Sequence, residues 1–566
     1  MTISKIFALS ALTLAIAACG GGDVNIDAQN LSTEDNSVDT GGGDIVNGGA
    51  GVAQPTNPCA QYIAGGITLQ GSFDVQTSNC KYGTDFVALT NPITQTQSQV
   101  TFADLPNDGV HIFEDSLVVG ENYTTDQALM DAGISEGGDG AIIRLSAGAT
   151  LAFETSADYM VINRGSQIFA EGTAAKPITI TSVTDAVDGT VGAEDVSQWG
   201  GIVINGFGVV NKCEYTGIRG EAGFSGSDCH EVAEGREGVS ATNYGGSNDA
   251  DSSGALEYVV VKHSGAAVSE GNELNGISFG GVGSGTTVNF LQTYSTFDDG
   301  IEMFGGAVNI SHFVATYVRD DSIDIDSGYI GTIDKALVIQ SENDGNHCIE
   351  SDGIAGHGSL TPEVRADFIA RGLNSAATIN NLTCIISPNA GGTHDPGAGW
   401  RIREAHTPTI TDALLVGSYA ADGIQGTDDN YCVRIADEGL QAAQDGDLVI
   451  QSTIIACQDL TKQGPLPDGT ETRAFLEANN DVIQTAEAGE DPTSASAPNL
   501  VLLDGFYSVP VGGMIINGGP VNVVPTNTSR NMIGAVSADN DWTAGWAFGL
   551  HEDNRLQPLW FETATP

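Results

Sequence analysis

Across residues 136–550 apolar positions come in short alternating runs, not at helical spacing. Ala141–Leu145, Ile178–Thr181, Gly201–Ile204 and Leu256–Val261 each read as a strand bounded by Gly, Asn or Asp. The 74 glycines suit many tight turns. One helix is predicted, Thr470–Ala486, inside an acidic insertion at about 460–497. A repeat then selects the architecture. Asp299-Gly300-Ile301-Glu302, Asp321-Ser322-Ile323-Asp324, His347-Cys348-Ile349-Glu350 and Asp422-Gly423-Ile424-Gln425 share one pattern, with a weaker copy at Gly399–Arg403. The Ile positions 301, 323, 349, 402 and 424 step by 22, 26, 53 and 22, and the long step reads as two coils plus an insertion. Such a period predicts a stacked β-solenoid. Alternation along each strand puts Ile in the core and the following acid outside.

The N-terminus carries an export pattern. Lys5 precedes a largely apolar run, Ile6–Ala18, whose 13 residues are short for a membrane span. It ends on Ile16-Ala17-Ala18-Cys19, which resembles the lipobox of bacterial lipoproteins. That resemblance implies removal of residues 1–18 and acylation of Cys19, and several acyl chains give a stable anchor. Gly20, not Asp, follows the cysteine, which in the Gram-negative sorting pattern implies the outer membrane; its two faces are not distinguished. Residues 20–58 hold six acidic residues and no Lys or Arg, so 19–58 reads as a lipidated disordered tether spanning about 35 Å.

Composition narrows the partners. The chain has 73 acidic against 20 basic residues, a formal charge of −53. A surface this negative repels nucleic-acid phosphates, so nucleic-acid binding is excluded. Beyond Cys19 there are eight cysteines, Cys59, Cys80, Cys213, Cys229, Cys348, Cys384, Cys432 and Cys457. An even count in an exported chain predicts disulfides, and pairing of sequence neighbours is expected among 105 formal connectivities. No zinc-type spacing is present.

Several segments carry a family resemblance. Ala170–Ser182 with Gln198–Gly206, Asn272–Thr287, Phe297–Gly306, Arg319–Gly331 and Asp541–Trp546 resemble a family of large secreted bacterial proteins over roughly 140–550. The resemblance implies an all-β, right-handed parallel β-helix of pectate-lyase-like architecture, often lipid-anchored, with activity mostly unestablished. The expected organisation is an N-terminal β-rich cap module at 59–135, the β-helix at 136–550 and a tail at 551–566.

The strongest candidate chemistry is an acidic ladder. Asp298, Asp299 and Glu302 recur 22 residues later as Asp320, Asp321 and Asp324; Asp326 adds a further acid, and Glu350 with Asp352 follows. Coils stack ~4.8 Å apart, where bare carboxylates repel and a hard cation such as Ca²⁺ would bind. A screened acidic face is the alternative. Arg401 and Arg403, with His406 nearby, form a second candidate. The resemblance to polysaccharide lyases of this architecture implies a basic side chain that abstracts a proton, whereas pairing with Glu404 or a neighbouring coil is the structural alternative. Trp199 and Trp400 are weighed as sugar-stacking rings against core roles. The reading is a surface-facing outer-membrane lipoprotein. It would act as a rigid, Ca²⁺-stabilised binding body for an extracellular glycan or envelope protein. A polysaccharide lyase or hydrolase and a structural surface-layer or adhesion element are the alternatives.

Overall fold

The computed structural model describes residues 57–562, except 97–98, 236–241, 270–271, 388–396, 418–430, 458, 485–504, 508, 511–513, 517–518 and 522–531. The export segment, Cys19 and the tether through residue 56 lie outside the described residues, as does Asp422–Gln425.

The chain is a parallel β-helix. Among the described residues one sheet holds ten strands in chain order: Leu117–Val119 (β1), Met160–Ile162 (β2), Ile202–Asn205 (β3), Ile277–Gly280 (β4), Ile301–Phe304 (β5), Ile323–Asp326 (β6), His347–Asp352 (β7), Ala398–Arg403 (β8), Val433–Ile435 (β9) and Thr461–Lys462 (β10). All nine pairings are parallel, so the chain revisits this sheet once per coil. Inward positions are Leu117, Met160, Ile202, Ile277, Ile301 and Ile323, stacked in register and fully buried. Stacking completes a core that no single coil can bury alone.

The rest of each coil is a longer strand. Gly254–Lys262, Thr287–Tyr294, Asn309–Thr316, Thr332–Ile339 and Thr378–Ile386 pair in parallel. Each turns a corner at one left-handed residue: Tyr258, Phe290, His312, Lys335 and Asn381, with φ between 51° and 58°. That conformation is costly for non-glycine residues. Contacts between corners offset the cost. Tyr258 stacks on Phe290 at 4.2 Å, Phe290 on His312 at 4.3 Å, and Lys335 Nζ lies 3.1 Å from His312 Nε2.

The register corrects several expectations. Ile349 stacks on Trp400, not Ile402, and β7 pairs directly with β8. The long step is therefore one coil, not two. It is lengthened by an excursion that holds the helix Pro362–Ala370, capped by Thr361. The strand stacked on β8 is Val433–Ile435. The predicted helix Thr470–Ala486 shrinks to Thr472–Glu477, because Asp481–Gln484 forms a strand parallel to Ile454–Cys457. Asn480 pins that strand by donating to the Ile450 and Leu476 carbonyls and accepting from Thr453 N. Parallel stacking already begins at Cys80–Tyr82, which pairs with His111–Phe113. Antiparallel pairing at this end involves Gln61–Ala64 with Ile67–Gln70, and Ser72–Phe73 with Cys80–Tyr82.

The eight cysteines join as Cys59–Cys80, Cys213–Cys229, Cys348–Cys384 and Cys432–Cys457, each to its sequence neighbour. The first, third and fourth bridges lie in the core. Trp199 and Trp400 are fully buried there too, Trp199 stacked on Phe153 at 4.8 Å, so neither ring is open to a sugar. The C-terminal segment does not trail as a tail. Residues 533–562 lie against the outside of the long strands, where Trp546, Leu550, Leu559 and Phe561 cover Val260, Val314, Leu337 and Ile385. Gln292 exchanges two hydrogen bonds with the Phe548 backbone, and Trp560 Nε1 donates to Gln340 O.

Candidate functional site

The outward row of the ten-stranded sheet changes character along the axis. In register it reads Val118, Val161, Val203, Ser278, Glu302, Asp324, Glu350, Arg401, Arg434 and Lys462. Apolar residues give way to three acids, then to three bases. The valines are covered by Leu89, Tyr159, Ala266 and Leu274. The acids are also largely covered: Glu302 is only 8 % exposed, and Asn275 Nδ2 donates to its Oε2 at 2.6 Å.

The paired acids ahead of these strands form two further rows. Asp299 N donates to Asn275 Oδ1, Asp321 N to Asp299 Oδ1, and His347 N to Asp321 Oδ1, at 3.1, 3.1 and 2.7 Å. Each side chain thus ties its turn to the next coil. Asp299 and Asp321 are buried and part of the stack. The third row is Asp298, Asp320 and Asn346, with Asn346 Nδ2 donating to Asp320 Oδ1 at 2.8 Å. Ligand atoms of Asp298, Asp299 and Asp320 lie within 4.8 Å of one another, as do those of Asp299, Glu302 and Asp324. Asp324 Oδ1 is buried and meets no hydrogen-bond donor.

Burial pushes the carboxyls of Asp299, Glu302 and Asp324 well above the usual range, and neighbouring carboxylates push the same way. Burial, with Asp320, Glu273 and Glu234, raises Asp298 to about 9. Glu234, which reaches the site from the excursion between β3 and β4, is raised by burial to about 7.

The next coil is built differently. Against burial, which disfavours its charge, Asp321 raises His347 well above its ordinary value, with Nδ1 at 2.8 Å from Asp321 Oδ1. His347 Nε2 lies 3.0 Å from Tyr431 Oη. Arg401 Nη1 meets Glu350 Oε2 at 2.9 Å, and Arg403 forks onto Glu350 and Asp352. Burial opposes the Glu350 charge, yet His347 and Arg403 hold its carboxyl well below the usual range.

Sequence reasoning located the two acidic coils and the register Glu302 over Asp324. Arg401 and Arg403 need correction as candidate bases: both are paired with the neighbouring coil, and the carboxylates hold Arg403 more firmly protonated against the effect of burial. His406 N donates to Arg403 O, but its ring is buried, accepts from Ala377 N and is pushed down to about 3 by desolvation. Asp326 still acts on Glu302 and Asp324 but has partners of its own. It accepts from Ser327 Oγ and lies 3.9 Å from Lys212 Nζ, a cation not foreseen near the acids. Glu234, Glu273 and Asn275 were missed. Asn275-Gly276-Ile277-Ser278 is a neutral copy of Asp299-Gly300-Ile301-Glu302, a signal that could have found Asn275.

The two acidic coils fall within residues 127–497, which match the family model described as a pectate-lyase like beta helix domain. The chain belongs to this family. Comparison with curated proteins and with solved structures finds no match. In this pectate-lyase-like β-helix, the two acidic coils offer hard oxygen donors. Two oxygens bound to one Ca²⁺ at about 2.4 Å lie at most about 4.8 Å apart, which both acidic trios satisfy. Asp298, Asp299, Glu302, Asp320 and Asp324 are therefore the residues that could hold a cation, with Glu234 and Glu273 facing them. Asp321 is engaged by His347.

Proposed function

We propose that this chain is a surface-facing, lipid-anchored outer-membrane protein whose β-helix is a rigid, Ca²⁺-stabilised body that binds an extracellular glycan. The observation that carries the calcium reading is a pair of carboxylate trios that share Asp299, one of which includes Asp324, whose buried Oδ1 meets no hydrogen-bond donor. Leaving such a group unpaired is costly, and a divalent cation would satisfy it. Asp298, Asp320 and Asp324 are partly exposed, so a cation among them would keep a side open to a hydroxyl or carboxylate of a sugar. Membership of a pectate-lyase-like family supports the carbohydrate reading. The lipobox pattern at Ile16–Cys19 supports the anchor. A lyase that uses Arg401 or Arg403 as base finds no support, since both are locked in ion pairs.

The test is thermal unfolding with chelator, with Ca²⁺, and with NaCl at matched ionic strength. A cation that binds only the folded state adds about 2.7 kcal/mol at a hundredfold excess over its dissociation constant. Chelator should lower Tm, Ca²⁺ should restore it and NaCl should not. Mg²⁺ should restore less, because it demands tighter octahedral geometry. Glu302→Gln with Asp324→Asn should abolish the response and leave the β-helix folded. A Tm indifferent to chelator would overturn the calcium reading. Binding of an acidic polysaccharide should require Ca²⁺; binding unchanged in chelator would detach the glycan from this site.

A further inference from the structure

The first described element is the antiparallel hairpin Gln61–Ala64 and Ile67–Gln70, closed by Gly65 and Gly66. Its base is seated on the body. Tyr62 is buried, Leu69 opposite it packs on the core, and Tyr62 Oη donates to Phe86 O. Its tip is not seated. Ile63 is 57 % and Ile67 67 % exposed, although both are large aliphatic side chains. The pairing of Ile63 with Thr68 and of Ala64 with Ile67 puts the two isoleucines on opposite faces of the hairpin. A hairpin lying on a protein surface has one apolar and one polar face. Here the tip Ile63-Ala64-Gly65-Gly66-Ile67 is apolar on both, which fits entry end-on into an apolar medium.

Charge selects the same end of the chain. Residues 45–73 carry no Asp, Glu, Lys, Arg or His, in a chain of formal charge −53. An anionic lipid surface repels most of this protein, and the uncharged segment ends in this hairpin. Both Gly65 and Gly66 take left-handed φ values, 56° and 81°, and an added Cβ at either would meet open space. The tip is thus tight and unobstructed.

We infer that the Ile63–Ile67 tip is a second membrane contact, inserted into the interface of the bilayer that holds Cys19. The inference rests on the anchored reading above. Two isoleucines cannot hold a protein of 566 residues on a membrane. The anchor proposed at Cys19 changes this, because covalent attachment to the bilayer confines the tip near it at an effective concentration on the order of millimolar. The contact would fix which end of the β-helix faces the lipid.

The test removes dependence on acylation in the cell. The chain from Cys19 onward retains every described residue, and its other eight cysteines are bridged. Cys19 is coupled to vesicles that contain maleimide lipid, phosphatidylglycerol and phosphatidylcholine brominated on its acyl chains. The probe is Ile67→Trp, read as the difference from the unsubstituted protein coupled in the same way. Coupled Ile67→Trp should emit at shorter wavelength than the same protein free in solution and be quenched by the brominated chains. Adding Ile63→Asp should remove both effects. A probe as exposed and unquenched as in the free protein would overturn the inference. So would a blue shift without quenching that grows with surface density, since that outcome means pairing with a second copy. Mass spectrometry of Cys19 on the protein from cells tests the anchor separately.

Discussion

Two adjacent stretches of one sheet face solve the same problem in opposite ways. In β5 and β6 the outward acids Glu302 and Asp324, with Asp298, Asp299 and Asp320 ahead of them, pack against one another and against Glu234 and Glu273. In β7 and β8 the equivalent places hold Asn346 and His347, and Glu350 meets Arg401 and Arg403. The backbone register is continuous across the boundary, so fold alone does not decide the charge. A coil that needed only solubility could carry the second solution throughout. The first buries carboxyls whose charge burial and their neighbours disfavour, and that contrast is what the calcium proposal rests on.

The largest effect is expected where the second solution is broken. Arg403→Ala leaves Glu350 and Asp352 with a lost partner and should cost about 3 kcal/mol in urea unfolding, in chelator or calcium alike. A loss that Ca²⁺ repaired would mean that both halves are cation sites. The converse change neutralises the first half. In chelator, Glu302→Gln with Asp324→Asn should raise stability by between about 1 and 3 kcal/mol, the range of repulsion at this spacing from water to an effective dielectric near 20. A fall instead would show that these acids stabilise the apo protein. A third variant erases the boundary. Asn346→Asp with His347→Asp copies the acidic coils one step further and should widen the gap in Tm between chelator and calcium.

Acidity should separate the halves in sign. Asp298 and Glu234 are raised in the folded state, to about 9 and about 7, so the folded protein binds more protons than the unfolded chain above pH ~4. In chelator, stability should therefore fall as pH rises from about 4 through 9, and Ca²⁺ should flatten the decline. Glu350 is depressed, so its contribution is present above the unfolded value near ~4 and is lost as pH falls below it. Melting curves across pH with the Arg403→Ala variant would assign each limb. The smallest effect belongs to Arg434→Ala at the partly exposed basic end, within about 0.5 kcal/mol.

The β-helix was legible because its rule is local: alternating strands at a near-constant period. The coils from Ile277 to Ile349 keep that period, and there the sequence located Glu302 over Asp324 correctly. Where excursions lengthen a coil, the period fails as a ruler, which is why Trp400 was displaced by Ile402 in the expected register. The acids were legible as a pattern but not as an environment. Their cover comes from Glu234, Glu273 and Asn275, which belong to the excursion and turn between β3 and β4, and no periodicity announces what folds over a face. The role of Asp299 and Asp321 in tying turns together was hidden for a related reason. An aspartate that accepts a backbone N–H one coil ahead has the same one-letter spacing as one that awaits a metal.

The strap at 533–562 alters how such a molecule can come into being. A solenoid whose contacts reach only the next coil can be assembled from one end as the chain emerges. Here Gln557 donates to Glu194, 363 residues earlier, and Phe548 bonds Gln292, 256 residues earlier. The apolar strip of Val260, Val314, Leu337 and Ile385 stays bare until the final thirty or so residues have arrived. Completion is thereby registered at the middle of the molecule, and a chain truncated before Ile533 would carry an exposed, aggregation-prone flank however well its coils had stacked.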